Sequence, residues 1–130
     1  MSELSHTVEK LPNDPVIVAY LHADLDPQAE YAALAADIRK LLDRQTEPVF
    51  YITDFTEATF DIGDILMASS RAAASGGGNF HHPNVKEVIF VSPAELVHFT
   101  AQGFRADAFG NVIINAFNTL DEALDYVRQV

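Results

Sequence analysis

The sequence predicts a single α/β domain: a mixed, mostly parallel sheet of four to five strands carrying about four helices, in the order β(β)αβαβαβα. Three observations predict it. Short apolar runs rich in β-branched and aromatic residues recur along the chain, at residues 16–21, 49–52, 85–91 and 112–117. The segments between them show helical periodicity and helix caps. The 130 residues, 48% apolar and 21% charged, suit one globular domain with a real core, and no repeat, linker or compositional shift divides them.

Residues 4–11 read as a first, edge strand of poor alternation. Pro12-Asn13-Asp14-Pro15 is a turn by composition, so the first strand and strand 16–21 form a hairpin. Asp26 then caps a helix and Pro27 fills its first position, where a missing N–H costs nothing. Tyr31, Leu34, Ile38, Leu41 and Leu42 make one apolar stripe on that helix, while Glu30, Asp37, Arg39, Lys40 and Arg44 take the other face.

Val49-Phe50-Tyr51-Ile52 reads as the central, buried strand, ended by Thr53-Asp54. Asp61 can open the helix that follows, whose inner face is Ile62, Ile65, Leu66, Ser69, Ala72 and Ala73. Ser75-Gly76-Gly77-Gly78-Asn79 breaks it, and Phe80-His81-His82-Pro83-Asn84 completes the loop. Val88-Ile89-Phe90-Val91 is the heart of the next strand. Ser92-Pro93-Ala94-Glu95 is a capping box with proline at the first helical position, and the short helix it starts ends by Gly103. After strand 112–117, Thr119-Leu120-Asp121-Glu122 is a second capping box. The final helix buries Leu120, Ala123, Leu124, Val127 and Val130.

Charge and cysteine content narrow the function classes. Nineteen acidic against eight basic side chains give a net charge of −11, which repels phosphate backbones and anionic lipid. Nucleic acid is therefore not an expected partner; a basic protein is a possible one, and a plain soluble acidic surface is the simpler reading. The absence of cysteine removes disulfides, thiolate metal sites and a cysteine nucleophile. No apolar run approaches the roughly 20 residues that span a bilayer, so membrane insertion is not expected. MSELSHTVEK has no basic stretch leading into an apolar core, so the cytoplasm is the expected compartment.

Each chemistry-bearing group has a plain structural reading beside a functional one. His81-His82 would need convergent ligands such as Asp54 or His98 to hold a metal, and is otherwise a polar loop. His22 and Asp24 alternate so that one side could carry a base and its orienter, but no nucleophile accompanies them, and Asp26 is explained as a cap. Asp54, Glu57, Asp61 and Asp64 cluster about the central turn; they could serve acid–base work or a hard cation, or simply favour a helix N-terminus. Gly76-Gly77-Gly78 follows a helix and lacks both phosphate-loop patterns, so it is a flexible connection, able to act as a lid. Phe99, Phe104 and Phe109 either close the core or line a contact surface or pocket. No catalytic residue, cofactor or metal is assigned.

The order, with its leading hairpin, resembles the STAS domain, the fold of sulfate-transporter tails and anti-sigma-factor antagonists (SpoIIAA-like). Two places carry the resemblance in residues. Phe50-Tyr51-Ile52-Thr53-Asp54-Phe55, then Ala58-Thr59-Phe60-Asp61-Ile62-Gly63-Asp64-Ile65-Leu66, resembles the family's central strand and its Asp-Ser-Ser-Gly-Leu turn. Phe117-Asn118-Thr119-Leu120-Asp121-Glu122-Ala123-Leu124 resembles the closing Phe-x-Thr/Ser-x-Glu-Glu-Ala-Leu. Family antagonists are switched by phosphorylating a serine in the turn; here Ile62 and Gly63 stand there, so the resemblance implies that the kinase switch is absent. Asp61 or Asp64 would supply permanent negative charge, a poor copy of phosphate.

The expected function is a non-enzymatic binding or regulatory module acting through the central strand–turn–helix, with Phe55, Thr59, Phe60, Asp61, Ile62, Gly63 and Asp64 as the contact surface. Its partner would be another protein or a second copy of the chain, joined through a sheet edge or the alanine-rich helix. The alternative is a carrier of a small apolar ligand held between helices and sheet, with Gly76, Gly77, Gly78, His81 and His82 as its lid. An enzyme is the third reading, lacking a nucleophile, metal cage or cofactor motif.

Overall fold

The computed structural model describes residues 6–21, 27–56, 82–95, 98 and 114–129. The strands are β1 (His6–Lys10), β2 (Val16–Leu21), β3 (Val49–Asp54), β4 (Val85–Val91) and β5 (Ile114–Phe117). The helices are α1 (Pro27–Asp43) and α2 (Leu120–Gln129). The expected helices between β3 and β5 lie outside the described residues, apart from Glu95 and His98, which have helical backbone.

The five strands form one sheet in chain order, β1-β2-β3-β4-β5. β1 runs antiparallel to β2, and every other pair is parallel. The hairpin closes where the Leu11 N–H donates to the Val16 carbonyl at 3.0 Å. Lys10 braces the turn, its Nζ donating to the carbonyls of Leu11 at 2.8 Å and Asp14 at 2.9 Å. A lysine and a glutamate on a short edge strand also discourage edge-to-edge pairing with another chain.

Strand alternation divides the core between two faces. On one, Ile17, Ala19, Val49, Tyr51, Val88, Phe90 and Ile114 pack with Ile38 and Leu42 of α1. On the other, Val16, Val18, Phe50, Ile52, Ile89 and Val91 pack with Ala123 and Val127 of α2. With both faces covered, β3 is buried at all six positions, which is why the central strand reads as a continuous apolar run and not as an alternation. Burying each such Val, Ile or Phe side chain contributes about 1.5–3 kcal/mol.

Four residues of the expected α1 stripe pack as the spacing predicts: Ile38 and Leu42 are buried, with Leu34 and Leu41 beside them; the side chain of Tyr31 lies outside the described ones. On α2, Leu120 and Leu124 are half-buried around fully buried Ala123 and Val127. Thr119 caps α2 by accepting the Glu122 N–H at 3.2 Å, while its hydroxyl donates to Glu122 Oε1 at 3.4 Å. The Glu122 carboxylate therefore turns to the threonine side chain, a variant of the expected box. Asp121 and Glu122 at its start and Arg128 at its end complement the helix dipole. Arg128 also forms a two-pronged pair with Asp14 of the hairpin turn, Nε to Oδ1 at 3.3 Å and the outer nitrogen to Oδ2 at 3.1 Å.

Candidate functional site

The parallel strands end together. Tyr20, Asp54, Val91 and Phe117 are successive partners across β2, β3, β4 and β5, one transverse row at the carboxyl end of the sheet. That end is where open α/β sheets place their binding chemistry.

Asp54 closes β3 and is 8% exposed. Its Oδ1 accepts the Thr56 N–H at 2.9 Å and the Thr56 hydroxyl at 2.7 Å. This is the local turn that aspartate favours, side chain standing in for backbone two residues on. It fixes the direction in which the chain leaves the central strand. Phe55, between the two, is half-buried; its N–H donates to the Val91 carbonyl at 2.8 Å and its ring meets Phe90 edge-on at 5.1 Å. Phe55 is thus an anchor to the α1 face of the core as much as a surface residue. Thr56 is exposed.

Beside Asp54 stands Tyr20, half-buried, its hydroxyl donating to Glu9 Oε1 at 3.0 Å across the hairpin. Partial burial, the bond to Glu9, and the negative fields of Glu9 and Asp54 push the Tyr20 phenol from 10.0 up to about 12. Neither Tyr20 nor Glu9 is singled out by the sequence. The signal was the register: two strands with matched carboxyl ends set the last aromatic of one against the terminal aspartate of the other.

At the end of β4, Ser92 is 3% exposed, its Oγ accepting the Ala94 N–H at 3.0 Å and its N–H donating to the Phe117 carbonyl at 2.9 Å. His98 Nε2 lies 2.7 Å from the Ser92 carbonyl, so Nε2 carries the hydrogen of that bond. The Ser–His contact runs through backbone and the serine oxygen serves as a cap, which is not a nucleophile–base arrangement.

His82 lies at the other end of the sheet. Its carbonyl accepts the Val85 N–H at 2.9 Å as β4 begins, and the neighbouring Asn84 carbonyl accepts the Val49 N–H at 2.7 Å as β3 begins. β3 runs five residue steps from Val49 to Asp54, and at about 3.3 Å a step that puts roughly 16 Å between them. His82 and Asp54 therefore do not share a metal site. The His82 side chain, 6% exposed, accepts the Asn84 N–H on Nδ1 at 3.0 Å, which leaves Nε2 to donate to Asp43 Oδ1 at 2.7 Å. Asn84 Nδ2 donates to the carbonyls of Leu42 at 2.8 Å and Gln45 at 3.0 Å. His82 and Asn84 together tie the start of β4 to the end of α1.

A second polar group sits beneath α2. Tyr126 donates to Glu87 Oε1 at 2.9 Å and receives a long 3.5 Å contact from Asn115 Nδ2. Burial and Glu87 raise the Tyr126 phenol. An irregularity places Glu87 there. Val49 pairs with Val85 and Phe50 with Glu87, so Lys86 is an extra residue, and its Nζ sits 5.1 Å from the centre of the Phe50 ring.

Of the expected contact residues, only Phe55 is among the described ones; Thr59, Phe60, Asp61, Ile62, Gly63 and Asp64 lie outside them, as do Gly76, Gly77, Gly78 and His81 of the lid. So do His22, Asp24, Asp26, Glu57, Phe99, Phe104 and Phe109. Among the described residues, no three His, Asp or Glu side chains come together to hold a metal ion. Among them too, no helix is long and apolar enough to cross a membrane.

The architecture is a leading hairpin feeding a parallel sheet with helices on both faces, the SpoIIAA-like fold. A solved structure confirms the fold. An uncharacterized protein of the DUF3478 family with a SpoIIAA-like fold, from Shewanella loihica PV-4, superposes with a TM-score of 0.61 at 16% identity, over 98% of this chain and 98% of that one. No family model matches the sequence, and no curated protein matches it.

Proposed function

We propose that the protein is a non-enzymatic binding or regulatory module whose contact surface is the turn and helix following the central strand, with Phe55, Thr59, Phe60, Asp61, Ile62, Gly63 and Asp64 meeting a protein partner or a second copy of the chain. The bracket between Asp54 and Thr56 is the observation that supports this reading. A buried carboxylate at the end of the central strand pins the exit of the turn, so the segment beyond it leaves from a rigid base. A surface presented in a fixed direction loses less ordering entropy on binding than a free loop.

The test begins with the wild-type protein as bait and as a sedimentation sample, to define its partner or its self-association. Affinity is then measured for Phe60→Ala, Asp61→Ala and Asp64→Ala, each checked for unchanged melting. A loss of about tenfold or more, near 1.4 kcal/mol, in at least one folded variant supports the reading. Equal affinity in all three overturns it. Native mass spectrometry of the untagged protein separates the carrier alternative: added mass that leaves on denaturation identifies an apolar ligand and replaces the contact-surface reading.

A further inference from the structure

We draw no further inference here: the strongest candidate, the side-chain cluster of Glu9, Tyr20 and Asp54 on the rim where β2 and β3 end, is two carboxylates around one phenol, with no second observation that points to a ligand.

Discussion

The Tyr20 hydroxyl donates to Glu9 Oε1 at 3.0 Å, tying the edge strand β1 to β2 one strand away from Asp54. The phenol is raised to about 12, so folding favours its neutral form. The stability this contributes is fully present below pH 10, the ordinary value, and is lost as pH rises from 10 through about 12. A phenolate absorbance titration of wild type against Tyr20→Phe should therefore lose one equivalent near the top of the curve. Loss of an equivalent near the ordinary value instead would contradict the burial of the phenol and its bond to Glu9 together.

Asp54 is tested by what its Oδ1 accepts. Asp54→Asn keeps an acceptor and should hold the turn. Asp54→Ala leaves the Thr56 N–H and hydroxyl without their partner and should cost about 1–2 kcal/mol in urea denaturation. If the contact surface is the segment beyond the turn, Asp54→Ala should also weaken partner binding while Asp54→Asn does not. Equal stability of the two variants would show that the bracket contributes nothing.

Asn84 fastens β4 to α1 by donating to the carbonyls of Leu42, in the last turn of the helix, and Gln45, just beyond it. Asn84→Ala should cost about 1–3 kcal/mol. Asn84→Asp should cost more, because it turns acceptor oxygens toward acceptor carbonyls. Hydrogen exchange should quicken in the last turn of α1 first; uniform quickening across the sheet would contradict a local latch.

Glu87 Oε2 is buried and has no hydrogen-bond partner among the described residues, whereas Oε1 accepts from Tyr126. Glu87→Gln keeps the acceptor for Tyr126 and removes a formal charge from the seam beneath α2. Glu87→Ala strands the Tyr126 hydroxyl. The denaturation midpoint should stay level or rise for Gln and fall by about 1–2 kcal/mol equivalent for Ala. A larger loss for Gln than for Ala would refute this account of the seam.

Much of the fold was legible because local and long-range demands agree. The runs at β2, β3 and β4 are apolar because both faces of a parallel sheet are covered, and the same composition favours extended backbone. Pro12-Asn13-Asp14-Pro15 and Thr119 mark their turn and cap by local chemistry alone. One strand end was less legible: the expected first strand runs to residue 11, whereas β1 stops at Lys10. Pairing, which involves a neighbour distant in sequence, decides where a strand stops.

The sequence by itself determined the α/β class, the hairpin, the two amphipathic helices and the place of Asp54 at the end of the central strand. Those follow from periodicity, capping and residue shape, all of which act within a few positions. Only the tertiary structure decided that Tyr20 stands beside Asp54, that His82 braces α1 roughly a strand's length away from Asp54, and that an extra residue at Lys86 turns Glu87 toward Tyr126. Each of these placements rests on a contact between residues 34 to 39 positions apart. A one-residue slip would reverse every such neighbour while leaving the local pattern unchanged.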